Sequence, residues 1–74
     1  MLYMKKGDHI AWKWGNGLAQ GEVISVHYEP TSIESKGKVI KRNGTKDNPA
    51  LVIKHASGNN VLKLASEVQK TDKE

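Results

Sequence analysis

The chain contains no cysteine and no phenylalanine, and its large aromatic side chains are two tryptophans and two tyrosines. Without cysteine there can be no disulfide staple, no thiolate zinc site and no cysteine nucleophile. With so few rings, each of Tyr3, Trp12, Trp14 and Tyr28 must serve the core, a surface site or both. No apolar run approaches the roughly 20 residues that span a bilayer. The start, Met1–Lys6, does not read as a signal peptide, because its short apolar part precedes the charges. The expected location is therefore the reducing cytoplasm, with no membrane partner. The sequon Asn43-Gly44-Thr45 then reads as a turn. No stretch of ten residues carries a helical apolar period.

What remains is a set of short apolar runs separated by turn residues. Seventy-four residues make one domain with a small core. The net charge of +4 permits contact with nucleic acid or an acidic protein surface, though it also serves solubility alone.

Lys6-Gly7-Asp8 reads as a turn into a strand in which Ile10 and Trp12 share one face and His9, Ala11 and Lys13 the other. Trp14–Gln20 reads as a glycine-rich loop, and Gly21 as a strand start suited to a bulge or corner. Glu22–Glu29 is the longest strand. Val23 and Ile24 cannot both face inward on it, so a bulge is expected there. Pro30-Thr31-Ser32 ends that strand, with Ile33–Ser35 a possible hairpin arm. Val39–Arg42, Ala50–Lys54 and Val61–Leu64 read as further strands. Ala65–Val68 reads as a tight helical turn with a last short pairing, and Gln69–Glu74 as a frayed, charged tail. Five short strands without a long helix indicate an all-β fold, a small five-stranded SH3-like or Tudor-like barrel over residues 1–68. Ile10, Trp12, Val23, Val26, Val39, Leu51, Ile53, Val61 and Leu64 are the expected core.

Spaced signatures along most of the chain point to a family. Lys6-Gly7-Asp8, Trp12-Lys13-Trp14-Gly15-Asn16-Gly17, Gly21-x-Val23, Asn43-Gly44-Thr45, Asp47-Asn48-Pro49-Ala50, and Val61-Leu62-Lys63 followed by Ser66-Glu67 resemble the hypervirulence-associated protein TUDOR domain family of bacteria and fungi. The resemblance implies an SH3-like or Tudor-like barrel. It supplies no mechanism, because fold analogy alone does not carry function.

Two surfaces are candidates for binding. Trp12, Trp14 and Tyr28 are placed to form a partial aromatic cage for a methylated ammonium, with Asp8, Glu22 or Asp47 as the acid; the competing reading makes Trp12 core and lays Trp14 over the barrel mouth. Lys36, Lys38, Lys41, Arg42 and Lys46 form a basic stripe with no intervening acid, able to neutralise phosphates while Trp14 or Tyr28 stacks on a base. The competing reading of the stripe is a solvated strand edge kept charged against aggregation. His9, His27 and His55 lack metal-ligand spacing, the serines lack a nucleophile-elbow context, and Gly15-x-Gly17-x-x-x-Gly21 misses the phosphate-cradle spacing. The expectation is a monomeric, non-catalytic binding module without a cofactor, its partner a protein peptide or a nucleic acid. A structural or self-associating domain is the alternative.

Overall fold

A computed structural model of the chain describes residues 4–71. The expectations for Tyr3 and for residues 72–74 fall outside the described residues. The fold is all-β. Among the described residues seven strands run in order: β1 His9–Trp14, β2 Gly17–His27, β3 Pro30–Ser35, β4 Lys38–Asn43, β5 Ala50–His55, β6 Asn60–Leu64 and, after a 3-10 turn at Ala65–Glu67, β7 Gln69–Lys70. Among the described residues no helix is long and apolar enough to cross a membrane.

The expected closed five-stranded barrel is not what the hydrogen bonds form. They make an open five-stranded sheet, ordered β6-β5-β2-β1-β7, and a separate two-stranded sheet, β3-β4. The eleven-residue β2 organises the larger sheet. Its first part pairs with β1, from Gly17 opposite Trp14 to Glu22 opposite His9. Its later part pairs with β5, from Gly21 opposite His55 to His27 opposite Ala50. Gly21 lies in the overlap, held between two neighbours, and a Cβ there would lie 2.6 Å from Ile53 Cγ2 and 2.6 Å from the Lys54 carbonyl oxygen. The close approach of β2 to β5 is what requires glycine.

The register slips where two adjacent apolar residues compete for one face. Val23 sits opposite Ile53 and Ser25 opposite Val52, which leaves Ile24 as the extra residue of a bulge. Val23 is buried as a result, and Ile24 is turned toward solvent. The core of the sheet gathers Ile10, Trp12, Val23, Leu51 and Ile53, closed by Met4, Ala65 and Val68, with Val26 and Val61 packed against it.

Several local expectations need correction. The Trp14–Gln20 loop is only the two-residue turn Gly15-Asn16, since β1 runs through Trp14 and β2 starts at Gly17. Gly15 takes a positive φ of 57°, which suits the right-handed twist of a tight hairpin. β2 ends at His27, ahead of Pro30 as expected, but Pro30 is not outside the pairing. It opens β3, opposite Asn43, where a missing N–H is tolerated. Tyr28 lies beyond the end of β2 rather than within a strand. Gln69–Lys70, expected to fray, pairs with Ala11 and Ile10, and the Thr71 amide donates to the His9 carbonyl at 3.0 Å. Val39 is not core: it is 69% exposed, and its neighbour Ile40 takes the half-buried position on β4. Leu64 is only half-buried, whereas Leu62 is buried. Leu62 lies on the face of β6 opposite to Val61, so its cover must come from outside the five-stranded sheet. The β3–β4 hairpin packs against β5 and β6.

Candidate functional site

Alternation along β1 carries the core stripe past the edge of the core. Ile10, Trp12 and Trp14 share one face. Ile10 and Trp12 are buried, while Trp14, the last residue of the strand, is 70% exposed. Trp12 meets the His55 ring edge-on, with centroids 5.9 Å apart and planes at 62°. The Ser57 amide donates to His55 Nδ1 at 3.0 Å, so this nitrogen is an acceptor and the histidine braces the β5–β6 turn.

Beside Trp14 a groove of about 250 Å³ opens where three hairpins converge. Trp12, Trp14 and Ala19 contribute from β1–β2, His55, Asn60 and Lys63 from β5–β6, and Lys36 and Ile40 from β3–β4. Among the described residues its lining contains no carboxylate. Lys63 belongs to this site although the sequence reading did not propose it. On β6, Val61 and Lys63 face one way and Leu62 and Leu64 the other. Both parities carry apolar residues, so the alternation could not reveal which lysine would join the site.

The seven proposed site residues are not gathered together. The groove unites Trp12, Trp14 and Lys36 and leaves out Tyr28, Lys38, Lys41 and Arg42. Trp12 is 3% exposed and offers no face to a ligand. Strand parity also divides the basic stripe. Lys38, Ile40 and Arg42 share one face of β4, and Val39 and Lys41 share the other. Arg42 is already engaged, its Nε donating to Glu67 Oε1 at 3.1 Å.

Lys36 occupies an unusual backbone position. It is followed by Gly37 in the two-residue turn between Ser35 and Lys38. Both have positive φ, 54° and 78°, and Lys36 is the one non-glycine residue in that region among the described residues. Such a type I′ turn favours Asn-Gly, Asp-Gly or Gly-Gly. A lysine there is held in a sparsely populated conformation, at a cost on the order of 1 kcal/mol.

The signature residues outside the groove form a structural clasp. Asn48 Nδ2 donates to Ser66 Oγ at 3.0 Å, and the Ser66 amide donates back to Asn48 Oδ1 at 2.9 Å. The Ala65 amide donates to the Pro49 carbonyl at 2.9 Å. A Cβ on Gly44 would lie 2.6 Å from the His27 carbonyl oxygen. Glu67 accepts from the Leu64 amide at 2.7 Å as well as from Arg42. Partial burial pushes the Glu67 carboxyl up, but the Leu64 amide, the Arg42 guanidinium and the charge of Lys63 more than offset it, and the net shift is downward. Asp8 behaves alike: burial raises it, while the Lys5 amide and the Lys70 and Lys5 ammonium groups bring it below the usual range. Its carboxylate stands 3.4 Å from Lys70 Nζ and so ties the entry of β1 to β7. Among the described residues no group of three His, Cys, Asp or Glu side chains is placed to hold a metal.

The all-β architecture, held by the clasp and by the close β2–β5 approach at Gly21, defines a small β domain. The family model for the hypervirulence associated proteins TUDOR domain matches residues 7–68, and the chain belongs to that family. No curated protein and no solved structure matches it.

Proposed function

We propose that this protein is a small non-catalytic binding module whose groove between Trp14, Lys36 and Lys63 takes an anionic ligand. The observation that carries this reading is an exposed indole flanked by two lysines, in a lining without a carboxylate among the described residues. A methyl-ammonium cage needs several ring faces and an acid. Here Trp12 is buried, Tyr28 lies elsewhere, and the nearby charges repel a cation. The family's Tudor-type fold supports a binding role of this size.

The test is a titration of ¹⁵N-labelled protein at low salt with hexauridylate, hexaglutamate and a trimethyl-lysine peptide. At least one anion should move the Trp14 indole and the Lys36 and Lys63 amide signals, and the peptide should leave them in place. Movement with the cationic peptide alone would overturn the reading.

A further inference from the structure

We infer that the anion is a single-stranded nucleic acid, with one base stacked on Trp14 and the adjoining phosphates held by Lys36 and Lys63. This inference rests on the groove reading above and sharpens it.

An acidic peptide would leave the indole unused. A carboxylate needs cations and N–H donors but has no use for a large flat apolar face. Trp14 offers such a face: it is 70% exposed, and the one ring pair among the described residues, Trp12 with His55, does not involve it. A two-residue turn fixes the backbone of Trp14 at the end of its strand, which keeps the indole at the mouth of the groove. An unpaired base has the π-face that stacks on such a platform, whatever its identity.

The charges are arranged to match. Lys63 projects from β6 and Lys36 from the β3–β4 turn, so cations reach the groove from two separate hairpins. A backbone running past the indole would pass both. The groove lies between three hairpins, and a base inside a duplex must first unpair and unstack to reach it. The bases of a single strand need not unpair. The strained backbone of Lys36 fits the same picture. A turn built for stability would carry asparagine or glycine at that position, and a long cation stands there instead.

The test compares hexauridylate, oligo-dT of the same length, a self-complementary duplex and hexaglutamate, using wild type, Trp14→Ala, Lys36→Gln and Lys63→Gln. Each variant is first checked for a wild-type amide spectrum outside the groove. Both single strands should bind more tightly than the duplex and hexaglutamate. Trp14→Ala should lose about 5- to 150-fold in affinity, the range for one stacked base. With two phosphates neutralised, the slope of log K against log salt should be about −1.4, and each lysine variant should bring it about 0.7 closer to zero. Preference for the RNA strand would show that the 2′-hydroxyl is read; equal affinities would show that stacking and phosphates suffice. Either outcome supports the inference. If hexaglutamate binds as tightly as hexauridylate in a Lys36- and Lys63-dependent way, or if Trp14→Ala binds unchanged, the nucleic-acid assignment is overturned and the anionic groove stands. If neither anion moves the Trp14 indole, both readings fall.

Discussion

Replacing Lys36 with asparagine should make the protein more stable while weakening its binding. Lys36 and Gly37 have φ of 54° and 78°, the geometry of a type I′ hairpin turn, for which Asn-Gly is the preferred pair. A lysine in the left-handed region costs on the order of 1 kcal/mol, and asparagine relieves much of this because its short polar side chain tolerates that backbone. For a domain of 74 residues, an unfolding entropy of about 2.1 cal/mol/K per residue converts 1 kcal/mol into roughly 6 °C of melting temperature. Lys36→Asn should therefore melt several degrees higher than wild type in a reversible thermal scan, with an unchanged urea m-value. In the same sample the salt slope of oligonucleotide binding should fall by about 0.7. Lys36→Gln keeps the strain and removes only the charge, so it should lose binding without gaining stability. A melting temperature for Lys36→Asn at or below wild type would refute the claim that this turn stores strain.

Other expectations concern the scaffold. Gly21→Ala puts a methyl group 2.6 Å from both Ile53 Cγ2 and the Lys54 carbonyl; backbone cannot yield as a side chain does, so a loss of about 3 kcal/mol or more should appear in chemical denaturation, and a loss under 1 kcal/mol would contradict the β2–β5 contact. The two tryptophans should separate cleanly. Trp12→Ala should cost about 3–5 kcal/mol as a buried ring, whereas Trp14→Ala should stay within about 0.5 kcal/mol as a surface change, both read from denaturation midpoints. Glu67→Ala removes the acceptor for the Leu64 amide and the partner of Arg42 and should cost about 1–2 kcal/mol, while Arg42→Ala should cost less, because the exposed ion pair is screened. Asp8 and Glu67 both titrate below their ordinary values in the folded state. Their contribution is therefore complete above the ordinary carboxylate range, near pH 4, and is lost as the pH falls through the lower folded values. An acid titration followed by circular dichroism should show stability declining below about pH 4, and Asp8→Asn with Glu67→Gln should flatten that decline.

The sequence by itself determined the class and much of the layout. Alternating apolar residues and turn signals placed strands at His9–Lys13, Val39–Arg42, Ala50–Lys54 and Val61–Leu64, and the crowding of Val23 and Ile24 announced a bulge. These are local matters of period and backbone preference. The spaced Gly21, Asn48-Pro49 and Ser66-Glu67 signatures pointed to the family because each meets a fixed geometric demand of the fold. Only the tertiary structure decided which lysines stand beside Trp14. Lys36, Lys38, Lys41 and Arg42 are neighbours in the chain, yet strand parity splits them, Glu67 engages Arg42, and Lys63, distant in sequence, lines the groove instead. Val39-Ile40 and Val61-Leu62 offer apolar residues to both faces, so their sidedness depends on long-range packing such as that of the β3–β4 hairpin against β5 and β6. That packing is a long-range contact, and no local pattern encodes it.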